Sequence, residues 1–298
     1  MRVALVGASG ILGGALIPRL LACGAKVRSL ARSPDRVGGS RSRDHEVEAL
    51  DLLQPDAEAR LRKLLAGCDA VIHAATAIPA DPRVPGAWNA NTRLRTEGTR
   101  ALLAAALAAG AGQYAQQSIV MAYTDGGERW LDESAPIDTS PAREFICAPV
   151  REMEAMVRAV GPHRMAWSIL RGGSFVGPGT AQDRAIAGLR ACSEKIIAGG
   201  SHYMSLVHSE DVASAFVLVL ERHISGAVLN INDEPIRQRD YLMRLARIVN
   251  APAPGEAAGA MPPSLRCSTA KAQETLGWHP AVGIWPTDQQ GVNTGVRI

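Results

Sequence analysis

The chain has little of what would indicate a membrane, a metal or an oxidising compartment. Its 5 cysteines are scattered and odd in number, and no Cys-x-x-Cys spacing occurs, so neither a zinc site nor a disulfide framework is indicated. A reducing cytoplasm is therefore the expected location. No apolar run reaches the roughly 18 residues that a membrane-spanning helix needs. The first predicted strand begins at Arg2, which leaves no room for a signal peptide.

The chain also lacks an excess of charge. The formal net charge is only +3, and no dense basic stripe occurs beyond residues 41–43, so nucleic acid is not an expected partner. No His/Asp/Glu cluster has metal-ligand spacing, so no metal is expected, and a Gly-x-Ser-x-Gly elbow is absent. What is present, 47% hydrophobic and 20% charged residues, is typical of a globular protein with a large core.

A glycine-rich turn lies between the first strand and the first helix. The apolar run 3–6 is followed by Gly7-Ala8-Ser9-Gly10-Ile11-Leu12-Gly13 and then by a helix-like run. Glycines permit a tight turn and let the backbone approach a pyrophosphate, while the helix N-terminus directs free N–H groups at it. In this context the motif predicts dinucleotide binding by Gly7, Ser9, Gly10, Ile11, Leu12 and Gly13, with a turn that binds no ligand as the alternative.

Strands and helices alternate through the first half of the chain. Strands are predicted at residues 3–6, 26–31, 45–50, 69–73, 114–118 and 165–171. Helices are predicted to end near residue 23 and to span residues 57–65, 97–109 and 149–160. Such βαβ units predict an α/β fold with a doubly wound parallel sheet, the Rossmann arrangement.

After residue 171 this alternation loosens. Helices are predicted at residues 182–192, 209–222, 238–249 and 268–276, a short strand at 228–231 and a linker at 251–263. We expect an NADP-binding domain over residues 1–171. Residues 172–298 are expected to form mainly a smaller C-terminal substrate lobe, with elements that return to the Rossmann core.

The end of the second strand distinguishes NAD from NADP. An acidic residue there binds the ribose 2′-hydroxyl of NAD, whereas an arginine accommodates the 2′-phosphate of NADP. Residues 30–33 are Leu-Ala-Arg-Ser, so the acid is absent and Arg32 is in reach. Because a guanidinium fits a phosphate well, the sequence favours NADP(H). A solvated surface arginine is the alternative.

Further motifs resemble, in their order along the chain, those of the extended and atypical short-chain dehydrogenase/reductase superfamily, which is NAD(P)-dependent and epimerase/dehydratase-like. Besides the Gly-x-x-Gly-x-x-Gly spacing, they are Asp51-Leu52, His73-Ala74-Ala75-Thr76, Gly-Thr-x-x-Leu-Leu at 98–103, Leu-Arg at 170–171 with Gly-Pro at 177–178, Val-His-x-x-Asp-Val-Ala at 207–213 and Leu-Gly-Trp-x-Pro at 276–280. The resemblance implies cofactor contacts from Asp51, Leu52, Ala74, Ala75, Thr76 and Gly172.

The catalytic pair of that superfamily is not found in the sequence. In the family a tyrosine transfers the proton, and a lysine four residues later lowers the pKa of that tyrosine. No tyrosine of this chain has a lysine four residues later. Alignment places either Ile146 and Val150, or Cys147 and Arg151, at the two positions. The asparagine of the family's Asn-x-x-Gly-Thr is replaced by Arg95.

Two hydroxyl side chains remain as catalytic candidates. Residues 117–123 resemble the family's Ser-Ser-x-x-x-Tyr-Gly with one extra residue, and Ser118 falls at the carboxyl end of the fifth strand, where ligands bind in open α/β sheets. We expect Ser118 to polarise a carbonyl and Tyr123 to deliver a proton, with a packing role as the alternative for each.

The expected function is therefore that of an NADP(H)-dependent oxidoreductase acting on a small-molecule carbonyl, alcohol or related group. A homodimer is possible. An isomerase, lyase or dehydratase on the same scaffold, or a non-catalytic NADP(H)-binding regulator, remains an alternative because the fold alone does not separate these functions.

Overall fold

The computed structural model describes residues 1–79, 81 and 84–286. The strands are β1 (Arg2–Val6), β2 (Lys26–Ala31), β3 (His45–Ala49), β4 (Ala70–His73), β5 (Gln113–Ile119), β6 (Ala166–Gly172), β7 (Ser174–Val176), β8 (Lys195–Ile197), β9 (Tyr203–Met204), β10 (Leu206–His208), β11 (Ala227–Ile231), β12 (Ile236–Arg237) and β13 (Gly255–Ala257). The helices are α1 (Ile11–Ala22), α2 (Ala57–Leu64), α3 (Asn89–Arg93), α4 (Thr99–Ala108), α5 (Glu144–Ala159), α6 (Ala181–Arg190), α7 (Ser209–Glu221), α8 (Gln238–Ile248) and α9 (Ala270–Leu276).

A seven-stranded parallel sheet forms the core. Its strand order is β11-β6-β5-β4-β1-β2-β3, and every neighbouring pair is parallel. Alternate side chains of β1 serve the two faces, since Val3 and Leu5 pack towards α1 and α7 while Ala4 and Val6 pack towards α2, α4 and α5. The sheet is thus covered on both sides. This confirms the predicted doubly wound fold.

Two helices extend beyond the predicted bounds. The sequence places the start of a helix at Pro149, yet α5 begins at Glu144 and continues through this proline. Proline costs the helix only one backbone hydrogen bond there, and Cys147, Val150 and Met153 bury the apolar face that holds the helix in place. The helix predicted from residue 97 begins at Asn89, because a π-helical turn (Leu94–Gly98) joins α3 to α4.

A smaller apolar cluster lies beside the sheet. Leu189 of α6, Ile196 of β8 and Leu245 of α8 pack there with Ile284. Three two-stranded pairs, β7 with β10, β9 with β12 and β8 with β13, surround it. None of these pairs was predicted, because strands of two or three residues are too short for a periodic pattern.

The chain after α9 connects the two clusters. Trp278 packs in the core on one face of the sheet, whereas Ile284 packs in the smaller cluster. Between them, the carboxylate of Asp211 accepts backbone N–H groups from Ala281 at 2.8 Å, Val282 at 3.1 Å and Gly283 at 3.3 Å. We call residues 278–285 the strap.

Among residues 1–79, 81 and 84–286, no helix is long and apolar enough to cross a bilayer. Within the same ranges, no group of three or more His, Cys, Asp or Glu side chains could hold a metal ion.

Candidate active site

The strand order reverses between β1 and β4. From β1 the chain proceeds outward to β2 and β3, and it then crosses to β4 on the other side of β1. Open α/β sheets bind ligands at such a reversal, outside the carboxyl ends of the strands. The glycine turn leaves β1 at this position, so the fold presents the predicted binding residues where a dinucleotide would lie.

Two glycines of the turn are required by backbone packing. Gly7 has a φ of +92°, and a Cβ there would lie 2.5 Å from the backbone nitrogen of Ala75. A Cβ on Gly13 would lie 2.5 Å from the carbonyl oxygen of Gly7. Gly10 differs, since the nearest described atom to its Cβ would be that same oxygen at 3.3 Å. That contact is tight, but no other described atom outside the neighbouring residues lies within 4 Å of the Cβ position, so the rest of the space beside Gly10 is free for a phosphate.

The start of α1 offers free hydrogen-bond donors. Gly10 N–H donates to Gly7 O at 3.0 Å, and Gly14 N–H donates to Gly10 O at 2.9 Å. The intervening N–H groups of Ile11, Leu12 and Gly13 donate to no described group. Free N–H groups and the positive end of the helix dipole together bind anions. These residues therefore fit the pyrophosphate of a dinucleotide; the exposed Ser9 lies in the same turn.

The predicted adenosine contacts lie beyond β2 and β3. Arg32 is exposed and makes no hydrogen bond or ion pair with any described residue, so its guanidinium is available to a phosphate. Asp51 is half-buried, and its Oδ1 accepts the N–H of Leu53 at 3.0 Å within the turn. Leu52 is buried against Gly98, whose Cβ would lie 3.3 Å from the Leu52 Cδ1.

The contacts predicted after β4 and β6 line the carboxyl ends of those strands. Ala74 N–H donates to Val6 O at 2.9 Å, which holds the chain beside β1. Ala75 touches the glycine turn, and Thr76 is half-buried. Gly172 ends β6, where a Cβ would lie 3.1 Å from the Phe175 ring. The carboxyl ends of β4 and β6 therefore present mainly backbone groups to a ligand.

Both catalytic candidates lie in a buried polar network. The Ser118 hydroxyl donates to Glu154 Oε1 at 2.7 Å. The Tyr123 hydroxyl donates to Asn230 Oδ1 at 2.7 Å and accepts from Arg171 Nη1 at 2.7 Å. The structure thus brings Ser118 and Tyr123 into one network, and it binds both hydroxyls to protein partners.

An ion pair on α5 and β6 lies at the centre of this network. Arg171 donates to Glu154 from Nε at 2.9 Å and from Nη2 at 2.6 Å. Burial by itself would raise the pKa of Glu154, but Arg171 and the Ser118 hydroxyl hold that pKa below its ordinary value. Burial raises the pKa of Tyr123 well above its ordinary value, although the charge of Arg171 opposes this. Tyr123 is therefore a neutral donor at physiological pH.

The positions aligned with the family's tyrosine and lysine do not form such a pair. Cys147 and Val150 are buried in an apolar cluster with Ala122. Burial raises the pKa of the Cys147 thiol, which makes it a poor proton donor. Arg151 is half-buried and ion-paired with Glu144 at 2.7 Å. Neither aligned pair reproduces a tyrosine activated by a cation.

His73 at the end of β4 and Arg95 in the π-helical turn were not predicted as site residues. His73 Nδ1 lies 3.0 Å from Gln116 Oε1, so the neutral tautomer with a proton on Nδ1 fits these contacts. Burial lowers the pKa of His73 to about 4, and the charge of Arg95 adds to this. Arg95 is itself buried. The sequence did mark Arg95 in one way, because this arginine replaces the asparagine of the family's Asn-x-x-Gly-Thr motif.

Four large apolar side chains belong to the segments that follow β4 and β5 and to the start of α5. The ring of Trp88 lies 5.7 Å from that of Phe145 at the start of α5. Arg143 donates to the carbonyl of Met121 after β5, and Ala77 N–H donates to Asn91 of α3 at 3.1 Å. The side chains of Ile78, Met121 and Phe145 are exposed and that of Trp88 is half-buried, and each lies in a segment that one of these contacts fixes. We call these four residues the apolar rim.

The fold and the glycine cradle define a Rossmann-type dinucleotide-binding protein. The sequence model described as "NAD dependent epimerase/dehydratase family" matches residues 3–232. The chain belongs to this family. The predicted resemblance to the extended short-chain dehydrogenase/reductase superfamily is confirmed.

Curated relatives of the chain are named as reductases. A 3-diazoavenalumate denitrifying reductase from Streptomyces sp. is 34% identical over 96% of this chain and 98% of its own length. A 4-hydroxy-2-methyl-3-oxo-4-farnesyl-3,4-dihydroquinoline-1-oxide ketoreductase from Stigmatella aurantiaca is 28% identical over 82% of this chain and 72% of its own length. Together with the family, these relatives support the expectation of an NAD(P)-dependent oxidoreductase.

A solved structure shares the fold at low sequence identity. The dTDP-glucose 4,6-dehydratase from Streptomyces venezuelae, with NAD and TYD bound, aligns with a TM-score of 0.81 at 20% identity. The alignment covers 95% of this chain and 93% of that chain.

Proposed function

We propose that this protein is an NADP(H)-dependent reductase of an apolar, ring-containing small molecule. One observation supports the proposal most strongly. The open cradle at Gly10, with free N–H groups at the start of α1, lies next to an unpaired Arg32 beyond β2. A pyrophosphate fits the cradle, and a 2′-phosphate fits the guanidinium. No acid stands at residues 30–33 to oppose that phosphate.

In this proposal each part of the cofactor has its own residues. The turn of residues 7–13 holds the pyrophosphate, Arg32 and Asp51 serve the adenosine half, and residues 74–76 with Gly172 border the nicotinamide half. When bound, NADPH supplies a hydride to the substrate. The chain itself contributes binding, orientation and charge.

The apolar rim supports an apolar substrate. Large exposed apolar side chains grouped at a ligand-binding edge mark a binding surface, because their burial by a ligand is favourable. Trp88 and Phe145 offer faces on which a ring can stack. The names of both reductase relatives refer to compounds that are not sugars, and one of these compounds is a farnesylated dihydroquinoline.

Ser118 and Tyr123 stay our proposed catalytic pair for carbonyl polarisation and proton delivery. Their present partners, Glu154 and Asn230, would have to share these hydroxyls with the substrate. Loss of a positioned proton donor lowers a rate by roughly 10²–10⁴-fold. We expect Tyr123→Phe and Ser118→Ala to lower turnover by that order while the NADPH dissociation constant changes little.

The melting temperatures of both variants separate catalysis from packing. If a variant remains folded at the assay temperature and retains full turnover, its hydroxyl has no catalytic role. The Asn230→Leu variant is the matched control, since it removes a partner of Tyr123 and leaves both hydroxyls in the chain.

The cofactor assignment is tested by calorimetric titration with NADPH and NADH. Arg32→Ala should weaken NADPH binding by roughly tenfold or more, since a charge-assisted hydrogen bond contributes about 1.5–3 kcal/mol, and should leave NADH binding unchanged. Arg36→Ala, an exposed arginine nearby, is the control. Equal affinity of the wild type for both nucleotides would contradict the NADP(H) assignment.

The reaction is tested by NADPH oxidation with a panel of aromatic ketones, quinones, imines and enones. Turnover of a member of the panel is the expected result. Tight NADPH binding without oxidation of any member would favour a non-redox enzyme on this scaffold, or a regulator. The cytoplasmic location, the homodimer and the boundary between residues 171 and 172 stay predictions.

A further inference from the structure

Arg95 is a buried cation without a bound carboxylate. It lies in the π-helical turn Leu94–Gly98 and is 3% exposed. Among the described residues its one hydrogen bond runs from Nη1 to the Sδ of Met153 at 3.5 Å, and a thioether is a weak acceptor. Burial lowers the pKa of Arg95 to about 10, so the group is charged at neutral pH. An arginine is almost never buried in this way without a partner.

The carboxylate of Glu154 attracts Arg95 electrostatically but makes no hydrogen bond to it, so it compensates Arg95 only in part. Both of its oxygens accept from Arg171, at 2.9 and 2.6 Å, and Ser118 donates to it as well. Two buried guanidinium groups therefore share one buried carboxylate. The neighbouring His73 is neutral at physiological pH. The cluster has an excess of positive charge, and such a charge in a protein interior is costly unless something balances it.

The excess charge lies where the nicotinamide half of the cofactor is expected. Arg95 acts electrostatically on His73, the last residue of β4, and on Glu154, which binds Ser118 near the end of β5. A dinucleotide held by the glycine turn at the strand-order reversal extends its other half over these strand ends. A π-helical turn inside an α-helix is itself frequent at functional sites.

The neighbouring helix α5 offers no cation in this position. Val150, aligned with the family's lysine, is buried among apolar groups, and Met153 on the next turn of α5 is the residue that Arg95 touches. The positive charge reaches the site from the adjacent helical segment instead.

We propose that Arg95 supplies the positive charge of the reaction centre in place of the lysine that α5 lacks. This role rests on the proposed NADP(H)-dependent reduction. In that reaction the substrate carbon gains a hydride from NADPH, and the C=O π pair moves to the oxygen. The oxygen then takes the proton that Tyr123 delivers, and solvent returns a proton to Tyr123. A fixed guanidinium stabilises the negative oxygen until the proton arrives. The same charge disfavours the positively charged ring of NADP⁺ relative to the neutral ring of NADPH.

The preference between the two nucleotides is a readout that does not need turnover. We would measure the dissociation constants of NADP⁺ and NADPH for the wild type, for Arg95→Met and for Arg93→Met. Arg93 belongs to the same helical segment but is exposed and paired with Glu97 at 2.9 Å, so it is the matched control. Loss of the cation should tighten the binding of NADP⁺ relative to NADPH by roughly tenfold, which is the Coulomb energy of two unit charges about 12 Å apart at an effective dielectric constant of about 20.

The Arg95→Lys variant tests the same charge by pH, because a lysine can lose its proton in the range in which an arginine keeps it. A lysine at this buried position would have a depressed pKa, and His73 and Glu154 are the titratable groups that interact with this position. Its nucleotide ratio should match the wild type at pH 6 and approach the value of Arg95→Met at pH 9, while the wild-type ratio stays constant.

The outcomes separate the two proposals. Nucleotide binding with an unchanged ratio in folded Arg95→Met, or a pH-independent ratio in Arg95→Lys, overturns the role of Arg95 alone. Absence of any nucleotide binding to the wild type overturns the proposed function and this inference together. A ratio that shifts in Arg93→Met as much as in Arg95→Met also overturns the inference.

Discussion

The buried neutral histidine His73 makes one contribution to the pH dependence of this protein's stability. His73 is buried, and its pKa is lowered from about 6.5 to about 4. Between those two pH values the unfolded chain binds more protons, so the free energy of unfolding falls as the pH drops from about 6.5 towards 4. By pH 5 the loss amounts to roughly 2 kcal/mol.

Replacement of His73 should remove the contribution of this histidine to the change of the free energy of unfolding with pH. Urea unfolding of His73→Gln at pH 7 and pH 5 should show a difference smaller than that of the wild type by about 2 kcal/mol. His163→Gln is the control, because this histidine is exposed. Equal pH dependence in the wild type and His73→Gln would show that the histidine is accessible to protons when folded.

The sequence predicts where a residue lies along its strand, but it does not predict which distant side chain that residue binds. The carboxyl-end position of Ser118 follows from the length of β5 and is seen in the structure. Its partner Glu154 is 36 residues away on another element. No local pattern encodes that contact, because it depends on how α5 packs against the sheet. The burial of Arg95 has the same origin.

Among the structural elements, the glycine turn makes the sharpest prediction. Gly10→Val should leave the fold intact after a small shift of the turn, because the added Cβ has one tight contact, 3.3 Å from the Gly7 oxygen. It should abolish NADPH binding, because the side chain fills the cradle. Gly13→Val should instead destabilise the protein, since its Cβ would lie 2.5 Å from backbone. Circular dichroism and NADPH titration of both variants separate the effects.

Retained NADPH binding in folded Gly10→Val would exclude the turn as a phosphate site. The contrast between the two glycines was not readable from the motif, in which they look equivalent. The motif identifies the turn as a unit, whereas the distances between the turn and Ala75 or Ala8 assign packing to Gly7 and Gly13 and ligand access to Gly10.

At the scale of the whole molecule, Asp211 holds the strap to α7. Its carboxylate accepts three backbone N–H groups, and the Trp278 indole N–H donates to the Asp211 carbonyl at 3.0 Å. Asp211→Ala should lower the free energy of unfolding by about 3 kcal/mol, since partly buried N–H groups would lose their acceptor. Asp211→Asn keeps one acceptor oxygen and should lose less. Urea unfolding would contradict this role if Asp211→Ala lost under about 0.5 kcal/mol.

The order of the strands has a consequence for synthesis on the ribosome. The outer edge of β6 is covered by β11, which follows the small cluster's α6 and β8 in the chain. A nascent chain that has emerged as far as residue 171 therefore displays an apolar edge strand with Trp167, Ile169 and Leu170, paired with β5 on one side and unpaired on the side that β11 later covers. Such edges promote aggregation. Until residue 231 leaves the exit tunnel, the strand that covers this edge is incomplete, and the edge stays open to other chains.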